Sequence, residues 1–211
     1  MPLVRQWTVF DDCEILVWEI AETPEVLLLN LVAEAEEWDE FKTISHPQKQ
    51  LEWLTGRYVM QLLVQSKGWL YEGMQKDEYG KPHLRHRIAE ISITHTVKYV
   101  GVTLHPTKPL GIDMERMADK LARVAPKFLS ENEKLEAQME LPKLVTYWCA
   151  KEALYKLDGV RRLNFKNHIF VEPFGGSDSY GQGMVSCPDI PQQLHHLHRF
   201  WVEDFCGVVA I

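Results

Sequence analysis

The chain reads as an α+β protein in two halves, each a long helix followed by several short strands. Three observations carry that reading. Apolar residues at helical spacing run from Pro47 to Ser66 and again from Lys143 to Leu157. Each run is followed by short apolar stretches bounded by turn residues, at 91–104 and at 167–211. The hydrophobic content of 45% is ample for a core, and no apolar run of about eighteen residues suggests a membrane span. Two prolines in His105-Pro106-Thr107-Lys108-Pro109 mark a linker. The expected domains are 1–105 and 106–211.

Taken in order, Glu14 to Ile20 predicts a strand. Pro24 predicts the first turn of a helix running to about Trp38, where its missing N–H does little harm. Ser45-His46-Pro47 opens the first long helix, with Leu51, Leu54, Tyr58 and Leu62 at helical spacing and Gly68 at its end. The polar stretch from Tyr71 to Arg87 predicts a loop. Ile91 to Thr94, Tyr99 to Leu104 and Leu110 to Met114 predict three consecutive strands. Met117, Leu121, Val124 and Phe128 mark a short amphipathic helix that Pro126 is expected to cut short. Ser130 with Glu133 forms a capping-box pattern, placing a new helix from Glu131 that Pro142 breaks. The second long helix stops at Asp158-Gly159. Strands are expected at Asn167 to Val171, Gly183 to Ser186, Arg199 to Asp204 and Cys206 to Ile211.

Composition narrows the function. A net charge of -7 argues against general nucleic-acid binding, and an acidic partner would need a local basic or apolar patch. Cys13, Cys149, Cys187 and Cys206 are scattered without a C-x-x-C pair, which predicts reduced thiols in a cytoplasmic protein. The start, Met1-Pro2-Leu3-Val4-Arg5, lacks a signal-peptide core. His195, His196 and His198 have no cysteine partners and no H-x-x-x-H spacing, and neighbours on a strand point apart, so a transition-metal site is not expected there.

The chemistry concentrates in two stretches. In Leu110-Gly111-Ile112-Asp113-Met114-Glu115, Asp113 and Glu115 are two apart on a strand and share a face. In Trp148-Cys149-Ala150-Lys151-Glu152-Ala153-Leu154-Tyr155-Lys156, Glu152 and Lys156 are four apart on a helix and share a face. If helix and strand pack together, three carboxylates and two lysines converge. That set suits a hard divalent cation and a phosphate-rich substrate. Alone, each piece is ordinary: a solvated strand edge, and an exposed ion pair worth about 0.3–0.5 kcal/mol. Trp148 and Tyr155 are expected to fix the helix against the sheet. No P-loop pattern and no Rossmann fingerprint is present.

The two stretches resemble the signature of the 4'-phosphopantetheinyl transferases, G-[IV]-D-x-E followed downstream by W-[SCT]-x-K-E-[SA]-x-x-K. Asp113 and Lys151 lie 38 positions apart, as that signature requires. Tyr79-Gly80-Lys81-Pro82, Ser92-Ile93-Thr94-His95-Thr96 and, faintly, Glu52-Trp53-Leu54-Thr55-Gly56-Arg57 extend the similarity over about residues 50 to 160. The resemblance implies a pseudodimer of two similar α+β halves, the longer surfactin-synthetase-activator type, with the active site at the interface of the halves and a monomer sufficient. Direct identity between the halves is too low to show a repeat.

The implied reaction is Mg²⁺-dependent transfer of phosphopantetheine from coenzyme A to a serine of an acyl or peptidyl carrier protein, releasing 3',5'-ADP. Asp113, Glu115 and Glu152 would hold Mg²⁺, with Met114 turned into the core. Glu152, directly or through a water, would take the serine proton. Lys156 would stabilise charge on the pyrophosphate, and Lys151 would reach phosphate from the flank. Lys81, Pro82, Thr94 and His95 would contact coenzyme A, with Thr94 standing where the family has serine. Lys76 and Arg57 are candidates for the adenosine end. Met117, Lys120, Leu121, Val124 and Phe128, with Arg123 and Lys127, would dock the acidic carrier. The rival expectations are a degenerate relative that binds carrier or coenzyme A without transfer, and a different pyrophosphate-cleaving enzyme.

Overall fold

The computed structural model describes residues 2–159, 163–187 and 190–211. The chain divides into two compact units, Met1–Pro109 and Leu110–Ile211. Among the described residues, no helix is long and apolar enough to cross a membrane.

The first unit is built on a four-stranded antiparallel sheet. Strands β1 (Leu3–Val9), β2 (Cys13–Glu19), β5 (Glu90–His95) and β6 (Tyr99–His105) lie in the order β1-β2-β6-β5. β6 is buried along its whole length. The long helix α3 (Pro47–Ser66) packs against β6, β5 and β2 through Val59, Met60, Leu63 and Val64. Pro47 sits in its first turn, and Gly68, at φ +73°, turns the chain just beyond its end.

Three expectations for this unit need correction. β1 is additional to the expected strands: Leu3–Val9 is a largely exposed edge strand whose sequence does not alternate cleanly. The single helix expected over Pro24–Trp38 is two: α1 (Pro24–Asn30) and α2 (Ala35–Thr43). Gln61 of α3 satisfies the break, donating to the Asn30 carbonyl at 2.9 Å and accepting from the Val32 N–H at 2.8 Å. The region 71–87 is not all loop. It holds the hairpin β3 (Met74–Lys76) and β4 (Pro82–Leu84), whose three-residue strands are too short to show a period.

The second unit is a five-stranded antiparallel sheet in the order β7-β11-β10-β9-β8, from β7 (Gly111–Arg116), β8 (Ile169–Val171), β9 (Tyr180–Cys187), β10 (Ile190–Val202) and β11 (Phe205–Ala210). Helix α6 (Leu141–Asp158) packs chiefly on β7 and β11. It ends in a left-handed Gly159. Helices α4 (Lys120–Phe128), α5 (Glu131–Ala137) and the short α7 (Phe165–His168) complete the unit. The capping box forms: Ser130 N–H donates to Glu133 Oε2 at 2.7 Å, and Ser130 Oγ accepts from Glu133 N–H at 3.4 Å.

Pro142 and Asn164 each set the start of an element here. α4 begins at Lys120 rather than Met117 and continues past Pro126 to Phe128. Pro142 does not break α5. That helix stops at Ala137, followed by Gln138 and Met139 at positive φ, and Pro142 sits in the first turn of α6. The strand expected from Asn167 begins at Ile169. Asn164 Oδ1 accepts from the N–H groups of Lys166 and Asn167, each at 3.0 Å, and so caps a helical turn first.

Candidate active site

The seat of the site is a missing side chain. A Cβ on Gly111 would lie 2.0 Å from the Ala153 carbonyl oxygen and 2.7 Å from the Leu157 nitrogen. Glycine therefore lets the backbone of α6 lie directly on β7. Two and four residues along the same face of β7 come Asp113 and Glu115. Across the sheet they pair with Val208 and Cys206 of β11. Met114 alternates to the other face and is buried.

α6 brings the third acid and the lysine. Lys156 Nζ donates to Asp113 Oδ1 at 2.8 Å and to the Ile112 carbonyl at 3.0 Å. Lys120, at the start of α4, reaches Glu115 Oε1 at 3.2 Å. Glu152 is pushed up to about 7, first by burial and then by the negative charge of Asp113, with Lys156 pulling the other way and Glu115 adding to the rise. The three carboxylates thus lie in one another's fields, with two lysines already compensating part of the charge. Among the described residues no group of three His, Cys, Asp or Glu side chains is set around a metal position as it stands. The donor chemistry, three carboxylates with neither thiolate nor imidazole, fits a hard ion such as Mg²⁺.

Lys151 does not join this group. It is 0% exposed, and its ammonium meets Glu133 Oε2 at 2.8 Å, the Phe165 carbonyl at 2.8 Å and the Ile169 carbonyl at 2.6 Å. Its expected contact with phosphate is corrected: on the helix it faces α5 and β8, about 100° round from Glu152. Part of the expected docking surface is also corrected. Leu121 and Phe128 are buried in the core of this unit, while Met117 and Val124 are half-buried against it. Lys120 is exposed and tied to Glu115. Trp148 and Tyr155 are half-buried against the core of this unit and meet other rings: Trp148 lies 5.1 Å from Phe128 and 6.0 Å from Phe165, and Tyr155 lies 5.4 Å from Phe165, between ring centroids.

The first unit holds the remaining candidates. Lys81 and Pro82 form the tip and first strand residue of the β3–β4 hairpin. Asp77 shapes that tip, its Oδ1 accepting from the N–H groups of Tyr79 and Lys81, each at 2.9 Å, with Gly80 at φ +86°. His95 ends β5, exposed, with Nδ1 3.1 Å from Oε2 of the buried Glu52. Thr94, beside it, is buried. Arg57 and Lys76 line a cavity of about 360 Å³ together with Glu36, Glu37, Glu40 and Arg85. Arg57 is committed there: it donates to Glu37 and Glu40 at 3.0 and 3.2 Å and stacks 3.5 Å over the Trp53 ring. Lys76 pairs with Glu40 at 2.6 Å. Both cations, expected at the adenosine end of coenzyme A, are held by carboxylates of α2.

Sequence reasoning missed three acids that shape these positions: Glu52 beside His95, Asp77 beneath Lys81, and Glu133 against Lys151. Glu133 was visible as a cap, but nothing local showed that its carboxylate also meets a lysine of another helix.

No curated protein matches the chain. Residues 109–205, which span β7, α6 and both motifs, match the family model for the 4'-phosphopantetheinyl transferase superfamily. The matched residues carry both the strand acids and the helix Glu–Lys pair of that signature, with Lys156 against Asp113.

Proposed function

We propose that the chain moves the 4'-phosphopantetheine group of coenzyme A to a serine hydroxyl of an acyl or peptidyl carrier protein in a Mg²⁺-dependent reaction that releases 3',5'-ADP. The observation that carries this reading is the contact of Lys156 with Asp113 beside β7, with Glu152 one helical turn before Lys156 and in the field of both. Asp113, Glu115 and Glu152 are the residues that would hold Mg²⁺. The ion, when bound, supplies neutralisation of the pyrophosphate charge.

The protein's own groups do the rest. Glu152 receives the serine proton, directly or through a water, and a carboxyl titrating near neutrality is matched to that task. Lys156, already placed against Asp113, follows the charge that grows on the leaving phosphate. Lys81 and His95 bind coenzyme A phosphate. Asp77 fixes the turn that presents Lys81, and Glu52 orients the imidazole of His95. Two compact units in one chain support the longer pseudodimeric type; on this proposal it works as a monomer in the cytoplasm.

The test is incubation with coenzyme A, Mg²⁺ and a panel of acyl and peptidyl carriers. The expected result is a carrier heavier by one phosphopantetheine arm, lost when Mg²⁺ is chelated. Asp113→Ala should slow the reaction and flatten its Mg²⁺ titration. Coenzyme A binding with no mass gain on any carrier would favour the degenerate, non-catalytic relative. Mg²⁺-dependent cleavage without a protein acceptor would favour a different pyrophosphate-cleaving enzyme.

A further inference from the structure

Lys151 places an ammonium where no solvent reaches, one residue before Glu152. Three N–H groups meet three acceptors, from Glu133 of α5, Phe165 of α7 and Ile169 of β8. Glu133 is equally committed. The oxygen that meets Lys151 also accepts from Ser130 N–H, and its other oxygen accepts from Val171 N–H at 3.0 Å. One buried pair therefore ties α6 to the start of α5 and to both ends of β8.

α6 is also held on another flank. Gly111 admits the backbone of Ala153 and Leu157 against β7. At about 100° per residue, Glu152 falls between the Lys151 flank and the Ala153 flank. A helix anchored on both flanks cannot turn about its axis, so the direction of Glu152 is fixed. Burying an ion pair is a poor route to stability compared with apolar packing, whereas one ammonium can join three separate segments. Arginine's planar fork does not reproduce that pattern of three donors on one atom.

We infer that Lys151 is a positioning residue: with Glu133 it locks the rotation of α6 and aims the Glu152 carboxylate at Asp113 and Glu115, without touching substrate. The inference rests on the transferase reading above.

Lys151→Met alone leaves the Glu133 carboxylate buried without a cation, whereas in E133Q the ammonium keeps two backbone carbonyls and can keep an amide oxygen, so the test uses E133Q and the double variant K151M/E133Q. The double variant has no buried charge left at this position. Thermal melting, calorimetric binding of coenzyme A and steady-state transfer to a carrier are measured for each. Both variants should melt cooperatively and bind coenzyme A within about twofold of the parent chain, while kcat falls at least tenfold. E133Q retains Lys151, so a kcat loss there reports the lock and not a missing phosphate contact. Tenfold weaker coenzyme A binding in the double variant but not in E133Q overturns the inference, because Lys151 would then be a phosphate ligand. An unchanged kcat in either folded variant overturns it as well. If the double variant fails to melt cooperatively, E133Q decides. A parent chain that binds coenzyme A but modifies no carrier is a separate result, and it removes the transferase reading itself.

Discussion

Glu152 is held in a state that ionised carboxylates avoid. Burial and the neighbouring Asp113 raise it from an ordinary value of 4.5 to about 7. A raised carboxyl binds protons more tightly in the folded chain than in the unfolded one. Its contribution to stability is therefore fully present below about pH 4.5 and is lost as pH rises through about 7. Glu152→Gln keeps the shape and removes the charge. In the metal-free protein at pH 8 it should raise stability by roughly 1–3 kcal/mol, a few degrees in Tm. At pH 4 the two proteins should melt together. Melting curves at both pH values check this, and a variant less stable than its parent at pH 8 would sink it. The same substitution should abolish phosphopantetheine transfer. Gain of stability with loss of activity at one residue is the pattern of a group kept for chemistry at the expense of folding.

Among the elements, the contact of α6 with β7 is the least forgiving. Gly111→Ala would place a methyl 2.0 Å from one backbone atom of α6 and 2.7 Å from another, and neither can rotate away as a side-chain tip could. The helix must slide, dragging Glu152 and Lys156 from Asp113. The expected loss is about 3 kcal/mol or more in urea unfolding. A loss below about 1 kcal/mol would mean that the helix yields more readily than this packing allows. This element pair also shows what a sequence makes legible. α3 and α6 could be read because each presents a long run of apolar residues at helical spacing, and α5 because Ser130 and Glu133 announce its start. The break between α1 and α2 could not, since Gln61, which satisfies it, lies 29 residues beyond Val32. The role of Lys151 was misread for the same reason. In the motif it stands beside Glu152 like a second catalytic group, and only the fold brings Glu133, Phe165 and Ile169 around it. Asp113 and Lys156 could be read as neighbours because strand and helix periodicity fix their faces locally, leaving a single packing step to chance.

At the scale of the whole molecule, the chain distributes its candidate chemistry over two units with separate cores. The acids and Lys156 belong to the second, Lys81 and His95 to the first. If the first unit serves to bind coenzyme A and the second to activate the transfer, substitutions in the two should leave different kinetic marks. Lys81 is the place to look. Its turn is built from its own backbone N–H and from Asp77, both of which survive truncation of the side chain. Lys81→Ala should therefore preserve the hairpin while deleting one charge. A lost ammonium–phosphate contact made equally in ground and transition states raises KM, by about tenfold, and leaves kcat within about twofold. Glu152→Gln should do the reverse, destroying kcat while coenzyme A still binds. Combining the two should reproduce both losses, each on its own parameter. Steady-state transfer and calorimetric binding of coenzyme A, measured on the full chain, separate the cases. An unchanged KM in Lys81→Ala would remove the hairpin tip from the substrate site and leave the first unit needing another contact with coenzyme A.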